Sequence, residues 1–336
     1  MTILILSILL AFAFGFAAHR AGVCTVAAVG EVITTGTART FLSFAKVVGW
    51  VLLINCLAGF FAPERLQPYL PPMLTSTVII GGFLFGVGAA INGGCSFSTI
   101  SKLAQGELHL AATLPAFIAG AVLANRVDLS LPVLSTNPYF LDFATIPPLF
   151  LILLSLWAII ELSRISTEAV RAGVINSISR KRYRLSSAAA FMGMTSGLLY
   201  LFNGRWAYSS KILDYYARDT DTAFVGTSAF YLLIALLVGA FVSAFSNRQF
   251  RFNFARSMWQ RNLAGGFIMG FGAMLVPGGN GKLILQDLPH LSLHALVAYA
   301  AMIAGIAVTL MVQMHVFGKM EIVTCNGDEC VIKKTQ

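Results

Sequence analysis

The chain has 336 residues, of which 57% are hydrophobic and only 11% charged, with a formal net charge of +9. A soluble domain carries about 25% charged residues, so water could not solvate this surface. The basic excess sits between apolar runs, as in the loops of a membrane protein, and excludes a nucleic-acid-binding role.

In chain order, Thr2–Ala18 is the first expected span. It lacks a basic n-region and is followed by His19-Arg20, which argues against a cleaved leader. The stretch from Arg20 through Gly22, Cys24 and Thr37 is too polar for lipid and too apolar for a free loop, so a short, partly inserted helix is expected. Further spans are expected at Phe41–Phe61, Ser76–Ile91, Leu108–Asn125, Ile146–Leu162, Ala188–Phe202, Ala223–Phe245, Asn262–Val276 and Leu291–Val312. Polar or broken segments follow three of these spans, at Asn92–Glu107, Asn203–Thr222 and Pro277–Pro289. The fold class is therefore an all-α polytopic membrane protein, with about nine transmembrane helices and four short re-entrant or broken segments.

Two loops orient it. Ser163–Ser187 carries six arginines and lysines against Glu168, and Ser246–Arg261 carries four arginines. Both should be cytoplasmic, which places the N-terminus outside and the C-terminus inside. The halves also resemble each other. Gly81-Gly82-Phe83-Leu84-Phe85-Gly86-Val87-Gly88-Ala89 reads against Gly265-Gly266-Phe267-Ile268-Met269-Gly270-Phe271-Gly272-Ala273 (265 − 81 = 184). Gly93-Gly94 matches Gly278-Gly279 (278 − 93 = 185), and Gly22 matches Gly204 (204 − 22 = 182). An odd number of spans between matching positions implies inverted repeats, which place broken helices and a solute site near the bilayer midplane. The expected division is 1–162 for the first repeat with its linking fifth span, 163–187 for a basic linker, 188–318 for the second repeat and 319–336 for a cytoplasmic tail.

The chemistry concentrates at Asn92-Gly93-Gly94-Cys95-Ser96-Phe97-Ser98-Thr99. Two glycines break an apolar helix, and a thiol and three hydroxyls follow. Open backbone at membrane depth is tolerated only around a polar cavity, so Cys95 is expected to line a path for a small solute. The bland alternative is a buried structural thiol, which is the better reading for Cys56, inside a plain span. Arg20, Lys102, Arg205 and Lys282 flank the broken segments, where they either concentrate anions or anchor at the interface. The histidines lie near span ends and suit capping better than metal ligation. Cys325 and Cys330 lie in a tail expected to be flexible and reduced. No cysteine spacing suggests a disulfide framework, and no Walker A motif is present.

GFAAHRAGVCTVA, GGFLFGVGAAINGGCS and GGFIMGFGAMLVPGGN, with Ser246-Asn247-Arg248-Gln249-Phe250-Arg251, resemble the YeeE/YedE family of bacterial inner-membrane proteins over nearly the whole chain. The resemblance implies a compact inverted-repeat bundle, pinched in the middle, in which cysteines on short helices hand a thiosulfate-like anion across without enzymatic turnover or a cofactor. The matching cysteines are Cys24 and Cys95. The family commonly has a second GGC, but here Gly278-Gly279-Asn280 stands in its place, and Trp206 occupies the repeat position of Cys24 (24 + 182 = 206). Asn280 can donate to an oxyanion but offers no thiol chemistry.

The expected function is uptake of thiosulfate or a similar small sulfur-containing anion across the bacterial inner membrane. The expected path is lined by Cys24, Cys95, Gly22, Gly93, Gly94, Ser96, Gly278, Gly279, Asn280, Trp206, Arg20 and Arg205. A membrane sulfurtransferase carrying persulfide sulfur or selenium on Cys95 or Cys24 is the alternative. Family analogy adds a small cytoplasmic sulfur-carrier protein as a partner at the basic linker.

Overall fold

The computed structural model describes every residue except Met1, 67–68, 71, 128–131, 136–139, 144–145, 174–179, 205, 217–227, 318–320, 327–328 and 335–336. Among the described residues there are thirteen helices. The first six are α1 (Thr2–Ala21), α2 (Thr25–Thr35), α3 (Arg39–Phe61), α4 (Ser76–Asn92), α5 (Ser96–Ala104) and α6 (Thr113–Arg126). Helix α7 (Pro148–Ala172) is followed by α8 (Leu185–Asn203), α9 (Tyr208–Tyr216), α10 (Ser228–Ser246), α11 (Trp259–Leu275), α12 (Asn280–Asp287, its last turns π-helical) and α13 (Leu293–Phe317). Eight of these stretches are long and apolar enough to cross a bilayer, or nine if α11 and α12, bent by 49°, count as one broken span. The chain is thus an all-α polytopic membrane protein.

The long helices form two groups. Helix α1 packs along α8 and α10, and α8 along α3. Helix α4 packs along α11 and α13, and α11 along α6. Glycine permits these contacts, because small residues let helix backbones approach closely in a membrane. A Cβ on Gly86 would stand 2.2 Å from the Met302 carbonyl, and one on Gly270 would stand 1.8 Å from that of Phe117. The four short helices lie between the groups: α2 meets α13, α9 meets α6, α5 meets α10 and α12 meets α3.

Three boundaries differ from expectation. Helix α7 runs to Ala172, ten residues past the expected span, because Ser163–Ala172 lacks a breaker until Gly173, at φ +79°. The basic linker therefore begins as helix. Leu108–Ala112 forms a 3-10 turn before α6. The tail, expected to be flexible, instead forms a two-stranded antiparallel hairpin of Glu321–Asn326 with Glu329–Lys334, in which Cys325 is the backbone partner of Cys330. Glu31 fills an ordinary structural role: its carboxylate accepts from the Thr37 hydroxyl (2.7 Å) and from the Arg39 and Thr40 amides (2.9 Å each), closing the start of α3.

Candidate functional site

Four short helices point their N-termini inward, and each follows a left-handed glycine. Gly22 (φ +60°) precedes Cys24 and α2, and Gly93 (φ +79°) precedes Cys95 and α5. Gly204 (φ +62°) precedes Trp206 and α9, and Gly278 (φ +147°) precedes Gly279 and α12. Only glycine adopts such angles without strain, so these glycines stop one helix and let the next begin within a few residues. The first turns so exposed carry free backbone N–H groups and partial positive charge.

Cys24 and Cys95 cap α2 and α5 in extended conformation, and their thiols face each other. The Cys24 sulfur is also turned towards the amides of Cys95 and Ala27, and the Cys95 sulfur towards those of Ser98 and Thr25. Each thiol thus looks onto the start of the other's helix. Both are buried, at 5% and 1% exposure. The turn is held by Asn92, whose amide donates to the Gly94 carbonyl (3.0 Å) and Thr99 Oγ1 (2.9 Å) and accepts from Thr113 Oγ1 (2.8 Å). Gly94 leaves room for Ser98, whose Oγ lies 2.1 Å from where a Cβ would stand.

Asn280 joins the second half to the first. Its side-chain oxygen accepts from Ser96 Oγ (2.6 Å) and its Nδ2 donates to Thr25 Oγ1 (3.3 Å). The starts of α2, α5 and α12 are therefore tied at one point. Trp206 packs edge-on against Phe14 (5.3 Å between centroids), with its Nε1 unpartnered. The backbone N–H groups of Trp206 and Ala207 fall 3.1 and 3.0 Å from the Gln286 side chain when its amide oxygen is turned to accept them. The Ser209 and Ser210 hydroxyls also lack partners, and the Ser98 hydroxyl faces the Cys24 thiol. Tyr299 faces Thr25 and the two thiols. A buried donor without a partner costs about 1–3 kcal/mol.

A cavity of about 550 Å³ opens on the face that bears the basic loops and reaches Cys24 and Ser98. Its wall carries Lys102, Lys181, Arg182 and Arg261 against the single acid Glu107. Lys102 Nζ donates to the Gly93 carbonyl (2.9 Å), and Arg261 to the carbonyls of Ala90 (3.3 Å) and Ile91.

On the other side of Asn280 the packing is closed. Lys282 Nζ donates to the Pro277 carbonyl (2.9 Å) and pairs with the fully buried Asp287 (3.2 Å). Tyr69, from the segment between α3 and α4, donates its hydroxyl to Asp287 Oδ1 (3.1 Å) and Ser292 Oγ (3.3 Å). Its ring stacks on His290 at 3.7 Å.

Of the expected path residues, Cys24, Cys95, Ser96 and Asn280 converge at one place, with Gly22, Gly93, Gly94, Gly278 and Gly279 forming the turns. Trp206 borders the group through Phe14. Arg20 lies elsewhere: its guanidinium donates to the Arg180 carbonyl (3.0 Å) and Ser246 Oγ (3.1 Å) and stacks on Phe16, tying α1 to the basic loops. Arg205 lies outside the described residues. Thr25, Tyr299, Tyr69 and Asp287 were not among the residues expected to act, whereas Ser98 was one of the three hydroxyls after Cys95 and Lys282 one of the flanking cations. Of the first four, Asp287 alone carried a signal, as an acid inside an apolar run.

The sulphur-transport family profile matches residues 20–308. A relative from Escherichia coli (strain K12), the thiosulfate transporter TsuA, is 26% identical over 232 residues, which is 60% of this chain. The match spans 65% of that relative, just under two thirds of its length.

Proposed function

Because the chain belongs to the sulphur-transport family, known also as YeeE/YedE, we propose that it carries thiosulfate or a similar small sulfur-containing anion inward across the bacterial inner membrane. The observation that carries this reading is the pair of facing thiols at converging helix starts, set among unpartnered donors at the end of a basic cavity. A neutral S–H is a weak donor. It replaces part of an anion's hydration shell without trapping the ion, as conduction requires. Helix starts add positive potential without a mobile counter-ion. The likeness to a thiosulfate transporter favours that ion among sulfur oxyanions.

The basic face is cytoplasmic on this reading, with the N-terminus outside and the C-terminus inside. The matched contacts support two inverted repeats: α1 on α10 answers α8 on α3, and α4 on α13 answers α11 on α6. The anion then passes Trp206 and Asn280 from outside, meets Cys95 and then Cys24, and leaves through the basic cavity. A small sulfur-carrier protein would collect it at the rim formed by Lys181, Arg182 and Arg261.

The test is uptake of radiolabelled thiosulfate by cells lacking other sulfate and thiosulfate systems. Uptake should fall about tenfold or more in Cys95→Ala and Cys24→Ala, a barrier increase of about 1.4 kcal/mol. Wild-type rates in both variants would remove the thiols from the path.

The facing thiols also favour a second reading, in which sulfur moves as a persulfide from Cys95 to Cys24. Thiolate attack on the sulfane sulfur would break its S–S bond and release sulfite with the bonding pair. Mass spectrometry of the protein during turnover separates the two, since only this route leaves a sulfane adduct on either cysteine.

A further inference from the structure

The charged cluster beyond Asn280 lies outside the anion's contacts with the thiols, yet it sits in the same short helix. We propose that Asp287 is a proton-binding site that couples inward movement of the anion to inward movement of a proton. This rests on the anion-transport reading and adds its energy source.

A multiply charged anion entering a negative interior moves uphill, and each proton that enters with it cancels one of the opposing charges. Among the described residues, the buried carboxylates are Glu31, Glu161 and Asp287. Glu31 is saturated by the start of α3. Glu161 is paired with Lys46 between α7 and α3. Asp287 lies in the helix that begins at Asn280, with its counter-ion two residues into that helix.

Its counter-ion is the one an arriving anion would claim. Lys282 follows Asn280 by two residues and holds Asp287 at 3.2 Å. An anion at the Asn280 turn competes for that ammonium. Once the ammonium turns away, Asp287 is an unpaired carboxylate in an apolar interior, and such a group binds a proton rather than remain charged.

Every element around it is consistent with a proton site. The strap between α3 and α4 offers the Tyr69 hydroxyl, and the start of α13 offers Ser292 and His294, whose two ring nitrogens have no partner. The turn after α12 contributes His290, which Tyr200 of α8 contacts at 3.3 Å and which feels Asp142. Helix α3 keeps its charges, Arg39 and Lys46, at its opposite end and presents only polar Asn55 and the Cys56 thiol in its second half.

The cycle balances without a chemical step. The proton enters from water on the outer side through the Tyr69 and Ser292 hydroxyls and neutralises Asp287 while Lys282 attends the anion. When the anion leaves for the cavity, the ammonium returns and displaces the proton towards Ser96, Thr25 and Ser98.

The experiment uses the full chain in proteoliposomes with thiosulfate, at a membrane potential clamped by potassium and valinomycin. An inward proton gradient should speed wild-type uptake about fivefold, and the lumen should acidify as thiosulfate enters. Asp287→Asn should keep thiosulfate counterflow, which needs no net proton, and lose the stimulation. Thiosulfate entry into wild-type liposomes without acidification overturns the proposal and requires no variant. So does stimulation that persists in Asp287→Asn, or a well-folded Asp287→Asn without counterflow, which would place Asp287 in the anion path instead. Absence of counterflow in the wild type would sink the transport reading itself.

Discussion

Lys102 and Lys282 play like parts in the two halves, although the repeat aligns Lys102 with Asp287 (102 + 185 = 287). Each lies in a short helix after a glycine turn, and each donates at 2.9 Å to a carbonyl at the end of the preceding helix, Gly93 in one case and Pro277 in the other. Their surroundings differ. Lys102 borders an open cavity with three further cations, while Lys282 is sealed against Asp287 beneath Tyr69. The same backbone device thus serves an accessible, net-positive half and a closed, charge-balanced half. The thiols follow the same division, for both lie in the first half, and the second supplies Asn280 and Trp206.

The comparison breaks most visibly at the two lysines. Lys282→Met leaves Asp287 buried without its counter-ion, which should cost about 3–5 kcal/mol. Lys102→Met loses one hydrogen bond beside water and should cost about 1 kcal/mol. Denaturant unfolding of the purified protein in detergent measures both. Replacing the pair together, Lys282→Met with Asp287→Leu, should recover most of the loss, since a buried pair is replaceable by apolar residues. Equal losses for the two single variants would mean that the halves do not differ in burial of charge.

A charge placed at the junction of the halves should act on transport more than on stability. Asn280→Asp keeps the size and the bond from Ser96, but puts a negative charge on the proposed route of the anion. Uptake should fall roughly tenfold or more, about 1.4 kcal/mol at the barrier. Asn280→Cys places a thiol at this turn and should stay within about threefold of wild type, because S–H still donates, though weakly. If Asp were tolerated and Cys were not, the anion would have to bypass this turn.

Much of this was legible in the chain because glycine and cysteine are informative residues in lipid. The offsets of 182 to 185 found the four turns, since a left-handed position leaves little choice but glycine. Cys24 and Cys95 stood directly after them. The closed half was harder to read. Tyr69 lies in a turn that reads as exposed, 218 residues from Asp287, and no local pattern announces a contact across that distance. Asp287 was readable as an acid within Leu283-Ile284-Leu285-Gln286-Asp287-Leu288, and an ionisable residue at membrane depth is informative by default. Arg20 misled by position, because its side chain reaches back to the loops rather than into the cavity.

A subtler test compares the glycines before the two inward turns. A Cβ on Gly94 would displace Ser98 Oγ, 2.1 Å away, whereas one on Gly279 would meet Phe85 and Ser209 at ordinary distances of 3.4 and 3.5 Å. The Ser98 hydroxyl can rotate, so Gly94→Ala should fold, with that donor turned from the Cys24 thiol. Uptake should drop about threefold, the worth of a weak hydrogen bond, and adding Ser98→Ala should make it no worse. Gly279→Ala should be near neutral. A larger effect at Gly279 would move the critical donors to the outer half.

The smallest effect belongs to the cavity rim, and salt identifies it. Lys181 and Arg182 lie in the loop between α7 and α8 and reach the cavity wall, where burial pushes the Arg182 guanidinium below its usual value without removing its charge. On the proposed route they act on the anion through space, and charges in a walled cleft are worth most when few mobile ions screen them. At 0.01 M salt the Debye length is about 30 Å and the whole rim contributes, while at 1 M it is about 3 Å and only direct contacts remain. Lys181→Gln with Arg182→Gln should therefore change the half-saturating thiosulfate concentration about twofold at low salt, measured as exchange in inside-out vesicles, and the difference from wild type should vanish at high salt. The thiol variants should show a deficit independent of salt, because their donors touch the anion directly. A salt-dependent deficit in Cys24→Ala would make that residue part of the rim's field rather than of the passage.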